Sequence, residues 1–158
     1  MRHLCLTLSR FALSAWVGAA CLFIVTTLQD VHSPDLDSVD KAEIAVQRFP
    51  VYYNFAFSLL GTALVLAVCG LHRVTGLRKY TILLLVLLPV ALTAIDYVWV
   101  YKPLEAMTAN VEQARPAQFV DLHSASKWIN TVQVSASVIA ALALCWPLPT
   151  GGHSGKPD

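Results

Sequence analysis

The chain has 158 residues, of which 56% are hydrophobic and 13% charged, and its formal net charge is +1; its mean hydropathy is +0.60. Soluble domains carry roughly 25% charged residues, and a domain this short leaves too much surface exposed to hide so many apolar side chains. These figures exclude an ordinary water-soluble globule, and the near-neutral charge without any Lys/Arg cluster excludes a nucleic-acid footprint.

A membrane span needs ~20 predominantly apolar residues, and four stretches meet that length. The first runs from about Leu8 to Leu28 and ends before Gln29-Asp30. Its basic start (Arg2, Arg10) and the run Gly18-Ala19-Ala20-Cys21 also fit a cleaved leader of the lipoprotein type. Gly18, however, stands where such sites usually want Leu or Val, and the apolar run continues to Leu28, so a retained helix is expected. In the connection that follows, Ser33-Pro34 opens a turn. Val39, Ala42, Val46 and Phe49 recur at helical spacing behind Asp37 as a cap, which predicts a short helix over Ser38–Phe49 lying at the membrane surface.

The second span runs from about Val51 to Leu71, and the short connection His72–Lys79 follows, with Arg73, Arg78 and Lys79. The third span is Tyr80–Tyr101, stopped by Lys102-Pro103. Leu104, Met107 and Val111 continue a helical spacing, so the third helix is expected either to run on past the membrane or to resume after Pro103, until Pro116 breaks it. The fourth runs from about Ser124 to Trp146, stopped by Pro147 and Pro149, and is polar enough to turn toward the bundle interior rather than lipid. The sequence therefore predicts an all-α integral membrane four-helix bundle over residues 1–146. A Gly/Pro-rich tail over 147–158 is expected to be disordered.

Four spans put both termini on one side, and short basic loops mark the cytoplasmic face. The densely basic connection at Arg73–Lys79 therefore predicts cytoplasmic termini, in a bacterial inner membrane. The expected outer side collects Asp30, Asp35, Asp37, Asp40, Glu43, Glu105, Glu112 and Asp121. Tyr52, Tyr53, Trp99, Tyr101 and Trp128 are expected as an aromatic belt at the outer interface. Besides lipid, the partner classes that apolar spans admit are a second copy of the chain and a larger membrane complex.

One acid, Asp96, stands inside the third span, where an ionisable group costs at least ~2.5 kcal/mol on insertion scales and normally has a partner and a reason. It lies ~24 Å along the helix from Tyr80. On the fourth helix His123, Ser126, Asn130, Gln133 and Ser137 fall at successive three- and four-residue spacings, a continuous polar stripe that brings Asn130 near the level of Asp96. Asn54 enters at a similar level and Thr93 lies one turn below Asp96. These residues (Asp96, His123, Ser126, Asn130, Asn54 and Thr93) read either as an outward-opening polar pocket able to exchange protons or hold a cation, or as interhelical glue, since Asn, Gln, Ser and Thr bond across membrane helices for ~0.6 kcal/mol each. In the second reading Lys102 or Lys127 reaches Asp96. His123, near a helix end, reads equally as an interfacial anchor. Trp16 is expected as a packing residue. Ser14/Gly18, Ala136/Ala140 and Ser137/Ala141 are small-residue pairs that permit close helix approach.

None of Cys5, Cys21, Cys69 and Cys145 lies in an outer loop, so no disulfide is expected. Three of them would lie at the cytoplasmic end near His3 and His72, which admits a soft-metal site, although buried cysteine more commonly serves as a small apolar side chain. No nucleophile elbow, phosphate loop, zinc helix or paired-carboxylate motif appears, so nothing points to hydrolysis or phosphoryl transfer.

Several residues fall in a known pattern. Trp16-Val17-Gly18 lies in the first helix, and Phe49-Pro50-Val51-Tyr52-Tyr53 opens the second. Asp96, Trp99, Pro103 and Met107 mark the end of the third, and Phe119, His123, Ser126 and Asn130 lead into the fourth. Over residues 10 to 145 the chain resembles the transmembrane protein 205-like family, whose bacterial members form a domain of unknown function. The resemblance implies a four-helix membrane protein and supplies no reaction. A more distant likeness runs to membrane families linked to copper resistance and haem biosynthesis, which carry a His before the Trp-Gly of the first helix. Here that stretch reads Leu8-Ser9-Arg10. The family's usual Asn near the end of the third helix is Asp96 here. The expected role is thus a non-enzymatic membrane protein without a cofactor, aiding small-solute or metal-ion movement or membrane stress tolerance. The alternative is a haem- or copper-binding redox bundle using His123 with His72 or His3.

Overall fold

A computed structural model describes residues 1–72, 74–108 and 117–146. In chain order it contains α1 (Arg2–His32), α2 (Ser38–Leu71), α3 (Leu77–Ile95), a π-helical turn (Asp96–Tyr101), α4 (Lys102–Thr108) and α5 (Ala117–Cys145). The fold is all-α. Four helices, Arg2–His32, Ser38–Leu71, Leu77–Met107 and Gln118–Cys145, are each long and apolar enough to cross a membrane. α1 packs on α2 and α5, and α3 packs on the same two helices. The short links at 33–37 and 72–76 make consecutive helices antiparallel neighbours, the up-down arrangement of a four-helix bundle. At the second link Gly76 takes a φ of 91°, a left-handed conformation that glycine adopts without cost. The start of α1 and the end of α5 therefore share one end of the bundle, the basal end. Asp37, Arg48 and Lys102 lie at the other, distal end.

Each predicted span falls inside one of these helices, but the helices are longer than the spans. α2, with 34 residues, extends ~51 Å against a hydrocarbon core of ~30 Å. The separate surface helix expected over Ser38–Phe49 is instead the first three turns of α2, which pass through Pro50 without a break. Packing holds this extension upright. Phe49 stacks on Phe23 of α1 and on Tyr101, with ring centroids 5.3 and 5.9 Å apart. Ala42 is buried, Lys41 Nζ donates to Val31 O at 3.0 Å, and Arg48 pairs with Asp30. Asp37 caps the helix as expected. Its carboxylate accepts from the Val39 and Asp40 backbone amides at 2.7 and 2.9 Å, and the Asp40 side chain accepts from the Asp37 amide. A proline tolerates this position because only one ladder bond is forfeited and neighbouring helices compensate.

The third helix also does not stop at Lys102-Pro103. It widens into the π turn and continues as α4 to Thr108. Pro103 has no N–H to donate to Trp99, and in an α-helix its ring would strike that carbonyl. A π turn just upstream relaxes the register, and the Lys102 amide bonds back to Tyr97 O, five residues away. The expected continuation through Val111, the break at Pro116, Arg73, Glu112, and the tail over 147–158 lie outside the described residues.

The basal half packs tightly around small residues. Ala56, Ala63 and Ala67 are fully buried along one stripe of α2, with Leu60 between the first two and Leu71 one turn beyond the last. A methyl added at Gly70 would stand 2.5 Å from Leu6 Cδ2, so α1 and α2 approach here only because residue 70 has no side chain. Ser9 Oγ donates to Ala63 O at 2.8 Å across the same pair. Of the small-residue pairs, Ala136 and Ala140 are buried on α5, whereas Ser14 and Gly18 are exposed. Phe11, Leu22, Val65, Leu84 and Leu142 point outward. Large apolar side chains thus cover much of the outer surface of the bundle, as four helices apolar enough to cross a membrane would present them.

Candidate functional site: a buried carboxylate in the distal half

Asp96 begins the π turn and is 1% exposed. Three neutral donors converge on its Oδ2: the Tyr53 hydroxyl at 2.7 Å, the Asn130 amide at 3.2 Å and the Ser126 hydroxyl at 3.3 Å. α2, α3 and α5 thus meet at one atom. Asn130 is itself fixed from two directions. Its Nδ2 donates to Ser126 O at 2.9 Å, and its Oδ1 accepts from the Tyr52 hydroxyl at 2.6 Å, reaching across the bundle to α2. One turn below, Gln133 Nε2 donates to Thr93 Oγ1 at 2.6 Å, and Thr93 donates to Pro89 O at 2.8 Å, a carbonyl in its own helix. Ser137 Oγ closes on Gln133 O at 2.9 Å.

The other carboxylate oxygen, Asp96 Oδ1, is buried and has no hydrogen-bond partner, as is Trp16 Nε1. Among the described residues the ion pairs are Arg48–Asp30 and Lys102–Glu105, and neither includes Asp96. The expectation that Lys102 or Lys127 reaches Asp96 is not met. Lys102 is committed to Glu105 at 2.7 Å, and Lys127 is exposed.

Three of the six expected site residues, Asp96, Ser126 and Asn130, therefore belong to one network, and Thr93 is buried one turn below in a separate bond to Gln133. The other two join neither. His123 is exposed on the first turns of α5 and stacks on Phe119, with ring centroids 6.1 Å apart. Asn54 is exposed and lines a surface groove. On α5 the stripe turns inward from Ser126 through Asn130 to the buried Gln133 and Ser137, while Ser124, Thr131 and Ser135, which lie off it, are exposed. Thr131 satisfies its hydroxyl within its own helix, on Lys127 O at 2.8 Å.

The residues that the sequence did not single out as pocket members are Tyr52 and Tyr53. They were expected in an outer aromatic belt with Trp99, Tyr101 and Trp128. Instead Tyr52, Tyr53 and Tyr101 are buried, and only Trp99 and Trp128 are exposed. Each phenol hydroxyl has a side-chain acceptor, buried Asp96 for Tyr53 and half-buried Asn130 and Glu105 for Tyr52 and Tyr101, which outweighs the interfacial preference of a tyrosine. Their rings join a continuous cluster: Trp16–Tyr52 at 5.2 Å, Phe23–Tyr52 at 4.4 Å, Tyr53–Tyr101 at 4.7 Å and Tyr53–Tyr97 at 5.1 Å. Trp16 is fully buried in the packing role expected of it. The signal that could have found the tyrosines is the α2 stripe itself. Extended through Pro50, the spacing of Phe49, Tyr52, Tyr53, Ala56, Leu60, Ala63 and Ala67 puts both rings on the bundle side.

Beside the network, the groove between α2 and the π turn encloses about 300 Å³. Tyr53 is its inner wall, and Asn54, Tyr97, Tyr101, Lys102 and Glu105 complete it. The Tyr53 phenol therefore separates an accessible space from the buried carboxylate. At the basal end Cys5 is half-buried and Cys69 and Cys145 are exposed. Among the described residues no group of three or more His, Cys, Asp or Glu side chains is placed to hold a metal ion. His123 lies near the distal start of α5, whereas His3 and His72 lie at the basal end, so His123 and either of the others cannot face one another across a single cofactor. No family model, curated protein or solved structure matches the chain.

Proposed function

We propose that this chain is a non-enzymatic integral membrane protein of a bacterial inner membrane, with both termini cytoplasmic. In this reading it assists movement of a small solute or cation, and through it membrane stress tolerance, by way of the distal polar pocket. One observation carries the reading: Asp96 is buried among neutral donors only, with Oδ2 satisfied and Oδ1 unmatched.

Glue does not require an acid. An Asn at the same position would accept the Tyr53 hydroxyl without the cost of an ionisable group, ~2.5–3.5 kcal/mol on insertion scales. A carboxyl with no basic neighbour completes its charge balance with a proton or with a cation from outside. The exchange of one for the other is the elementary step by which a membrane carboxylate couples to a solute. Tyr53 stands between groove and carboxylate, and its hydroxyl is the group that must swing for either to pass.

The test is Asp96→Asn, which keeps size and the acceptor for Tyr53. Cells carrying it are expected to lose a cation-tolerance or uptake phenotype that wild type confers, while the purified variant melts within a few degrees of wild type. An unchanged phenotype alongside an unchanged melting temperature would reduce Asp96 to a structural residue and end this reading.

A further inference from the structure

The groove carries more information than its position beside Asp96. Its walls are aromatic: Tyr53, Phe57, Tyr97 and Tyr101. These rings form one packed set, with Phe57–Tyr97 at 5.6 Å and Tyr97–Tyr101 stacked at 5.5 Å. Among the described residues the rim holds one carboxylate, Glu105, both of whose oxygens accept: Tyr101 Oη donates to Oε1 at 2.9 Å and Lys102 Nζ to Oε2 at 2.7 Å. The same Lys102 ammonium stands over the Tyr97 ring at 5.4 Å from its centroid and over the Tyr101 ring at 5.9 Å.

Aromatic faces joined by one carboxylate are the usual environment of a bound ammonium, because ring quadrupole and carboxylate both favour a weakly hydrated positive charge. We propose that the groove is a binding site for a small organic monocation, a substituted ammonium, and that Lys102 is its tethered stand-in. This inference rests on the reading of the distal pocket as a solute site and names its substrate class. The Lys102 side chain is 50% exposed, so the ammonium can leave toward water and yield both the rings and Glu105 to a competitor of like charge. The space is at the small end of ligand pockets. Tyr53 then links the two parts of the site: its ring lines the cation's groove and its hydroxyl rests on Asp96.

A substituted ammonium reaches such a groove either as a free solute or as the choline headgroup of a lipid, and the experiment separates them. Tetraethylammonium binding to the full chain in mild detergent is measured by calorimetry, with sodium as the control. Removing the tethered competitor in Lys102→Gln is expected to tighten binding roughly tenfold, the scale of a partly desolvated cation–π contact. Tyr97→Leu in the Lys102→Gln background is expected to lose binding, and Tyr97→Phe, which keeps the ring, to retain it. If Lys102→Gln binds no more tightly than wild type, or if Tyr97→Phe, folded by its melting curve, loses binding as Tyr97→Leu does, the inference is overturned.

In nanodiscs, equal tetraethylammonium binding in phosphatidylglycerol and phosphatidylcholine supports a free solute. Binding suppressed only in phosphatidylcholine supports a lipid headgroup. No binding in either overturns the site. A pH dye in weak buffer gives a separate readout. Cation addition is expected to release a proton from the Lys102→Gln protein and none when Asp96→Asn is added. Absent binding with an Asp96→Asn phenotype intact would sink the groove alone. Intact binding with no Asp96→Asn phenotype would sink the solute reading of Asp96 alone.

Discussion

The basal half of the bundle is joined by close approach, and the distal half by hydrogen bonds between long side chains. At the basal end Gly70 and the alanines of α2 bring backbones together, so that one short hydroxyl, Ser9, suffices to bridge α1 to α2. At the distal end tyrosines, Asn130 and Asp96 fill the space, and the network reaches from α2 to both α3 and α5. Close approach between small residues leaves no room for a ligand and no atom to react with one. The aromatic half has both an ionisable group and an adjoining groove, and it also contains the π turn. Such turns are frequent at functional sites because the extra residue re-aims neighbouring side chains. Stability and chemistry are thus divided along the length of the same helices.

That division can be broken from either end. Gly70→Val should have the largest effect: the added methyls drive into Leu6 and the α1 backbone, overpacking that costs up to ~3 kcal/mol. The purified protein should melt well below wild type, with the Asp96-dependent phenotype falling only in step with protein level. Tyr53→Phe removes the 2.7 Å hydrogen bond to the buried Asp96 side chain, a loss of about 1 kcal/mol. Here the phenotype should change more than the melting temperature does. A Tyr53→Phe protein that behaves as wild type in both would show that the phenol neither steadies nor gates Asp96. Ser9→Ala deletes a single interhelical bond and should cost ~0.6 kcal/mol, visible in melting curves and silent in function. Val65→Leu, on the outward face, should fall within ~0.5 kcal/mol of wild type. A larger shift would mean that this face contacts protein rather than lipid.

Much of the fold was legible without coordinates, because long apolar runs admit few alternatives once backbone groups must be satisfied internally. The four spans, the Asp37 cap and the matching level of Asp96 and Asn130 all follow from period and count. The reading faltered at Pro50, which looks like a helix end in sequence and is passed through, whereas at Pro103 the spacing of Leu104 and Met107 already allowed the third helix to run on. Phe49 is braced by Phe23 and Tyr101 in the first case, and the π turn absorbs the second. Breaking α2 at Pro50 also hid the stripe that carries Tyr52 and Tyr53 into the core, so both were assigned to the interface. His123 and Asn54 were drawn into the pocket by spacing alone. Spacing fixes a residue's height on a helix but leaves its angle uncertain by the width of a side chain.

By itself the sequence determined the class of molecule, the number of long apolar helices and the presence of one acid within the third. Those depend on local composition and on what a bilayer excludes. Only the tertiary structure decided which donors reach that acid, that its second oxygen stays unmatched, and that an aromatic groove adjoins it behind Tyr53. Those facts depend on how four helices rotate against one another, and that rotation is set by packing across the bundle rather than by any segment read alone.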